Sequence, residues 1–282
     1  MNKIIGLLMT YNNIDFFKYA IQQMLDFCDE VVLIEGCHFK QYPKRSTDGT
    51  CEYIETLKHP KLKIIKDFKR ESNRYDVVQL RLRREHSEES KYWKPGNWII
   101  QWDDDVFFFN DDIPKIKKIL ESTDKDTIMF RERRFGYNFR FSIFAPKNII
   151  NGIKCQRITD GCGYKSGVSH LHYKDGKKYI NTAGKILFVP DIIYHHYPYV
   201  RTSDRVKFRY EISVNKGDIS NKDTFNKWKN IKWKKDEDIF KQENDFRKVI
   251  GGIGELEICN GRHPEILDNH PWRYIDDVRK IK

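Results

Sequence analysis

Trp98-Ile99-Ile100-Gln101-Trp102-Asp103-Asp104-Asp105-Val106-Phe107-Phe108-Phe109 is the stretch from which the rest of the chain is read. Pro95-Gly96-Asn97 introduces it, and a short apolar run after such a turn signal predicts a buried strand. Three consecutive carboxylates follow, and then aromatic residues again. Unpaired carboxylates beside an apolar core are costly, and at close range each raises the pKa of the next. A divalent cation resolves both problems, because carboxylate oxygen is its preferred hard ligand. In an extended chain Asp103 and Asp105 share one side and Asp104 takes the other. The stretch therefore predicts an Asp-x-Asp metal site at the end of a central strand. The competing reading is a polar turn whose carboxylates face water or cap the next helix.

Working outward toward the N-terminus, Lys3 to Met9 reads as a first strand, apolar on both faces. Thr10-Tyr11-Asn12-Asn13 is a polar loop with a ready N-cap. Ile14, Phe17, Ala20, Ile21, Met24 and Leu25 recur at helical spacing, predicting a helix over Ile14–Phe27. Val31 to Ile34 is a second strand ending at Glu35-Gly36. This β-α-β opening implies a parallel pair with a right-handed crossover, and ligands bind beyond the carboxyl ends of such strands. Ser46-Thr47-Asp48-Gly49-Thr50 precedes a helical run, Cys51 to Leu57, for which Ser46 and Asp48 are good caps. Leu62 to Ile65 is a third strand. Tyr75 to Trp93 reads as a long charged helix bearing Arg81, Arg83 and Arg84. Strands alternating with helices predict an α/β fold with a mostly parallel sheet.

The second half is less regular. Thr127–Arg131, Arg140–Phe144, Ile186–Val189 and Ile192–Tyr194 look like strands, the last leading into His195-His196. Asp160-Gly161-Cys162-Gly163 sits in a glycine-punctuated loop. Asp204–Asn215 looks helical, Thr224–Lys248 reads as a polar surface helix, and Gly261–Leu267 as a loop entering a short helix.

Composition sets the outer bounds. The chain has 282 residues, 39% hydrophobic and 14% aromatic, enough for a full globular core. No apolar run approaches the ~20 residues of a membrane span, and the first residues lack the pattern of a signal peptide. Six cysteines without a C-x-x-C pair read as free thiols. A soluble, cytoplasmic protein of a reducing compartment is expected. The net charge of +11 suits a polyanionic partner, or belongs to a lysine-rich chain with no such partner.

The order of these elements resembles the GT-A glycosyltransferases that use nucleotide sugars, particularly the family 2 type. The resemblance rests on the first strand ending in Thr10-Tyr11-Asn12, the second ending in Glu35, and Ser46-Thr47-Asp48-Gly49-Thr50. It extends to the arginine-bearing helix and the strand ending in Asp-x-Asp. Later, His196-Tyr197-Pro198-Tyr199-Val200-Arg201 and Gly261-Arg262-His263-Pro264 are similar to two further elements of those enzymes. The match covers roughly residues 3–110 and 186–267. Glu35 stands where Asp is usual, and Pro198 where glycine is usual.

The resemblance implies a GT-A-like, Rossmann-like domain over 1–215, with a nucleotide-sugar half at 1–110 and an acceptor half at 111–215. A C-terminal helical extension is expected over 216–282. It implies a hexosyltransferase-type enzyme that moves a sugar from a nucleotide-diphosphate sugar, with UDP as the expected nucleotide, to a hydroxyl acceptor. Mn²⁺ or Mg²⁺ is the implied cofactor, with Asp103, Asp105 and His196 as its ligands; His195 would face away from His196. Thr10, Tyr11, Glu35, Asp48, Asp103 and Asp104 would contact the donor nucleotide, with Tyr11 stacking on the base. Arg81, Arg84 and Arg201 would meet phosphate. The same residues read without a ligand as a surface tyrosine, a helix cap and solvated arginines. An inverting reaction needs a carboxylate base; of Glu132, Asp160 and Asp191, Asp160 is preferred. The acceptor is a glycan, lipid, protein or modified DNA base. The rival classes are a metal-dependent phosphoesterase or nuclease, and a basic nucleic-acid-binding protein without catalysis.

Overall fold

The structure, a computed structural model, describes residues 2–37, 39–40, 42–70, 86–144, 154–158, 172–174, 177–179, 186–214, 226–227, 241–244, 247 and 254–281. The chain divides into two compact units, one comprising residues 1–131 and 150–192, the other 132–149 and 193–282.

The first unit is an α/β layer built on four parallel strands: β1 (Ile4–Thr10), β2 (Glu30–Glu35), β3 (Leu62–Ile65) and β4 (Trp98–Asp103). Their spatial order is β3-β2-β1-β4, so the chain starts in the interior of the sheet and builds outward on both sides. The short strand β5 (Val106–Phe107) follows β4 directly. Strand β6 (Thr127–Gly136) carries the chain from the first unit into the second, and β8 (Lys154–Arg157) lies antiparallel between β4 and the start of β6. The expected α/β architecture with a parallel, Rossmann-like half is what this unit has. A small antiparallel ribbon, β9 (His172–Lys174) with β10 (Lys177–Tyr179), also belongs to it.

Both faces of the parallel strands are covered, which explains their unbroken apolar runs. On one face Ile5, Leu7, Val32, Ile34, Ile65 and Ile99 form a buried cluster with Ile158. Each such side chain contributes about 1.5–3 kcal/mol through burial. Helix α1 (Ile14–Phe27) lies over the other face. Gly6 permits its close approach: a Cβ there would stand 2.5 Å from Met24 Cε and 2.9 Å from Cys28 Sγ. Phe27 and Phe108 pack on the Trp102 indole, with ring centroids at 5.8 and 5.1 Å. Helix α2 (Thr50–Thr56) follows β2, and helix α3 (Asp112–Ser122) follows β5.

Two local expectations change. Residues 86–87 are helical, and beyond them the chain runs to Trp93 through i→i−3 turns, closed by Ser90 N to Ser87 O at 3.2 Å and Trp93 N to Ser90 O at 3.1 Å. The helix predicted to reach Trp93 therefore does not extend there. Ser90 competes for the backbone, its hydroxyl accepting from Tyr92 N at 3.1 Å and donating to buried Glu30. The strands expected at Ile186–Val189 and Ile192–Tyr194 are one continuous strand, β11 (Ile186–Tyr199), running through Pro190.

In the second unit β7 (Phe141–Phe144) pairs antiparallel with the end of β6 and with β12 (Glu255–Ile258). Helix α4 (Ser203–Val214) matches the helical reading of Asp204–Asn215. Among the described residues after 215, 226–227, 241, 243–244 and 247 are helical, within the span read as a helix over Thr224–Lys248, and β12 and two single 3-10 turns, Glu265–Leu267 and Val278–Lys280, follow. The core is aromatic. Phe135 stacks on Tyr197 with centroids 4.6 Å apart and planes 11° apart, and Phe139 packs on Tyr197, His263 and His270. Among the described residues no helix is long and apolar enough to cross a membrane, and Cys28, Cys37, Cys51, Cys155 and Cys259 are free thiols.

Candidate functional site

The register of the parallel strands brings their carboxyl ends into line. Thr10 is opposite Glu35, and Met9 is opposite Asp103. Three polar strand ends thus share one edge, where an open α/β sheet binds its ligands.

Trp102 shapes the end of β4. Its indole Nε1 donates to Val106 O at 2.7 Å across a turn at Asp104-Asp105. The chain is not extended through the three aspartates, so the expected strict alternation stops at Asp103. Asp103 is exposed, Asp104 half-buried, and Asp105 buried at 3% exposure. The Thr10 hydroxyl donates to Asp104 Oδ2 at 2.6 Å, and Asn13 Nδ2 reaches Asp104 O at 3.4 Å. Gln23 of α1 secures the chain beyond, donating Nε2 to Phe108 O at 2.8 Å and accepting Phe108 N at 2.9 Å.

Two loops close over this edge and are stitched to each other. Asn12, at φ +50°, accepts Thr47 N on Oδ1 at 2.7 Å, and its own N–H donates to Ser46 Oγ at 3.0 Å. Asp48 accepts Ile14 N on Oδ2 and Thr50 N on Oδ1, both at 3.0 Å. One carboxylate therefore caps α1 and α2 together. Asn13 occupies the N-cap position of α1 but makes no side-chain cap bond, so the ready N-cap expected in the first loop is supplied from 34 residues further on.

Glu35 is fully buried. Oε1 accepts Ser46 N at 2.8 Å, Oε2 accepts Arg45 Nε, and Cys51 Sγ lies 3.8 Å from Oε2. Its carboxylate thus builds the loop at 45–51. Tyr11 donates its hydroxyl to Pro43 O at 3.1 Å. Burial pushes the Tyr11 phenol up, with Cys37 and Glu35 acting in the same direction against Arg70, so it stays neutral. Arg70 clamps the same loop by donating to the carbonyls of Cys37, Phe39 and Tyr42.

The second unit holds a separate polar cluster. Glu132 is buried at 5% exposure and accepts Arg134 Nη2 at 2.8 Å on Oε2 and at 3.0 Å on Oε1. His196 Nδ1 lies 2.5 Å from Glu132 Oε1. Burial alone would raise the Glu132 pKa; the Arg134 and His196 partners outweigh it and hold the carboxyl at about 2. His195 points the other way, as strand alternation requires, with Nδ1 3.2 Å from Tyr197 Oη. Tyr197 Oη also meets His263 Nδ1 at 2.7 Å, so the His-Tyr and Gly-x-His-Pro elements of the sequence are joined by one buried hydrogen bond. Arg201 is buried and donates Nε to Pro198 O at 3.1 Å. Asp191 is exposed.

Thr10, Tyr11, Glu35, Asp48 and the three aspartates come together at one edge of the first unit. His196 and Arg201 belong to the second unit. Arg81, Arg84 and Asp160 lie outside the described residues. The arginine partner of Glu132, the Thr10–Asp104 bond and the Arg45–Glu35 pair were not anticipated. The alternating charges of Arg131-Glu132-Arg133-Arg134 within a strand pattern were the available signal for the first, since i and i+2 share a face. Among the described residues no three His, Cys, Asp or Glu side chains gather into a metal-holding group.

The first unit is thus an open parallel α/β sheet with a polar carboxyl edge, an architecture that binds ligands there. No family model matches the chain, and no curated protein resembles it in sequence. Among solved structures it is similar to S. aureus TarS residues 1–349 in complex with UDP, at TM-score 0.43 and 14% identity over 76% of this chain and 65% of that one. It is likewise similar to TarS 1–349 in complex with UDP-GlcNAc, at TM-score 0.43 and 13% identity over 88% of this chain and 81% of that one.

Proposed function

We propose that the chain is a GT-A-like glycosyltransferase that moves a sugar from a nucleotide-diphosphate sugar, with UDP the expected nucleotide, to a hydroxyl acceptor. The observation that carries this reading is the alignment of Thr10, Glu35 and Asp103 at the carboxyl edge of the parallel strands, beneath loops tied by Asn12, Ser46 and Asp48. Tyr11, neutral and half-buried beside the 37–44 loop, offers a ring for base stacking. Glu35 would act on the nucleotide through the loop it holds, because its oxygens already serve Ser46 and Arg45.

The donor set fits a divalent cation of the hard, oxygen-preferring kind. Carboxylates of the Asp103–Asp105 turn would hold it. A Mg²⁺- or Mn²⁺-type ion binds through one or two carboxylates and completes its shell with substrate phosphates and water. Such an ion supplies Lewis-acid neutralisation of the charge that develops on the departing diphosphate. Thr10, by donating to Asp104, and Trp102, by closing the turn, fix the carboxylates relative to the sheet. This preorganisation is the protein's contribution to the charge developing in the transition state.

The test is release of nucleoside diphosphate from a panel of nucleotide sugars, with Mn²⁺ and with EDTA, in the presence of simple sugar acceptors. Metal-dependent release from one donor supports the reading. Cleavage of plasmid DNA with every nucleotide sugar left intact would replace it by a nuclease.

A further inference from the structure

At the opposite end of the parallel strands from the carboxyl edge, a cavity of about 120 Å³ opens within the first unit. β1 begins there at Ile4 and β4 at Trp98, and the two strands run from it to Thr10 and Asp103. At the rise of a strand, the ends of β1 stand about 20 Å apart. The inner wall is apolar: Ile4, Phe27, Cys28, Trp98 and Leu120 are each at most 5% exposed. Trp98 Nε1 donates to Leu120 O at 2.9 Å, so the indole N–H is already used. Two lysines stand at the mouth. Lys61 Nζ donates to Leu25 O at 2.8 Å; Lys117 Nζ reaches Asp26 O at 3.4 Å and lies 5.6 Å from the centroid of the Phe27 ring. These carbonyls belong to the last turn of α1, which carries no basic residue of its own, and a helix C-terminus favours cations. An ammonium has three donors, and a single carbonyl takes one of them. The acids of the lining are Asp29 and Glu121. Asp29 is matched by Lys3, accepting its Nζ at 2.8 Å and Ile4 N at 2.9 Å. Glu121 is exposed on α3. Positive charge is therefore in excess at the mouth, above an apolar floor.

We propose that this cavity binds a small organic anion, a carboxylate carried on a compact apolar body. The body lies against Phe27 and Trp98, and the carboxylate sits between Lys61 and Lys117. An apolar cavity of about 150 Å³ takes a benzene ring, so a body of that order, with its head in the mouth, suits this one. The apolar floor sets the body and the paired ammonium groups set the charge, the usual division of labour in a small-molecule site. The site lies at the far end of β1 and β4 from the carboxyl edge and does not depend on the glycosyltransferase reading.

The experiment titrates benzoate, and benzamide as its neutral counterpart, into the full chain and follows binding by saturation-transfer NMR. The proteins are wild type, Lys61→Gln/Lys117→Gln, Leu120→Phe and Asp105→Ala, each checked for folding by its urea midpoint. Glutamine removes the charge and retains an N–H for the α1 carbonyl, whereas Leu120→Phe adds ring volume to the floor. Saturable binding of benzoate to wild type is expected, with benzamide weaker by about tenfold or more, the value of a hydrogen bond to a charged group. The double lysine variant should lose the same factor for benzoate and little for benzamide. Leu120→Phe should weaken both ligands, and Asp105→Ala neither. If Leu120→Phe does not fold, the double lysine variant alone decides. No saturable binding to wild type overturns the proposal, and so does benzoate affinity unchanged in the double lysine variant. Loss of binding in a folded Asp105→Ala protein would move the ligand to the carboxyl edge and overturn it as well.

Discussion

Asp48→Ala removes the one side chain that caps two helices. In the native chain Oδ2 accepts the first amide of α1 and Oδ1 the first amide of α2, each at 3.0 Å. Loss of an N-terminal cap costs about 0.5–2 kcal/mol, and a hydrogen bond to a charged acceptor contributes about 1.5–3 kcal/mol. Two such bonds on a half-buried carboxylate place Asp48→Ala at about 2–4 kcal/mol of destabilisation. Asp48→Asn keeps one acceptor oxygen but turns an NH₂ toward the other amide, and should lose about half as much. Urea unfolding measures the total. Amide exchange at Ile14 and Thr50 localises it, because both amides should exchange faster while those of β1 and β2 remain protected. Asn13 cannot substitute, since it makes no cap bond in place. An Asp48→Ala protein within about 0.5 kcal/mol of wild type, the range of ordinary surface substitutions, would refute the double-cap reasoning.

Other outcomes follow from the same geometry. Burial first, then the Arg273 and Arg133 charges, hold the His263 imidazole down at about 3, and burial holds His195 well below its ordinary value. The unfolded chain takes up these protons first, so the stability they contribute is complete above about pH 6.5 and is lost as pH falls toward 3, by about 1.4 kcal/mol per pH unit per group. Glu132 adds to the loss only below its ordinary value of 4.5. Equal urea midpoints at pH 7.5 and pH 5 would contradict this. Tyr197→Phe deletes the hydroxyl met by both His195 and His263, and should cost about 1–3 kcal/mol in urea unfolding. Gly36→Ala should cost more than about 1 kcal/mol, because φ is +130° and a Cβ there would lie 2.5 Å from Lys44 O; native-like stability would show that the loop yields.

Local pattern and long-range partnership divide what the sequence disclosed. Helix α1 was legible to its ends because Ile14 through Leu25 repeat an apolar stripe, and β1, β2 and β3 because they are short apolar runs between polar breaks. The α/β class follows from that alternation alone. The turn at Asp104-Asp105 was not legible, since it depends on the Trp102 indole reaching Val106 O rather than on turn residues. The caps of α1 and α2 were half-read: Asp48 looked like a cap for its own helix, but nothing local announces that it also caps a helix 34 residues earlier. Glu132 and His196 are separated by 64 residues, and only the folded second unit shows them with Arg134 as one cluster. The ends of β6 and β11 were underestimated because charged and polar residues interrupt their apolar pattern at Glu132 and Asp191.

The central claim is that the polar carboxyl edge binds a nucleotide sugar through a divalent cation. The most direct measurement is thermal unfolding of wild type and Asp105→Ala against UDP and a panel of nucleotide sugars, with Mn²⁺ and with EDTA, each protein referred to its own ligand-free midpoint. A ligand at about 100 times its dissociation constant adds about 2.7 kcal/mol to the folded state. The account predicts a Mn²⁺-dependent rise with one nucleotide in the wild type, abolished by EDTA and absent in Asp105→Ala. No rise with any nucleotide, in wild-type protein that unfolds cooperatively, would contradict it.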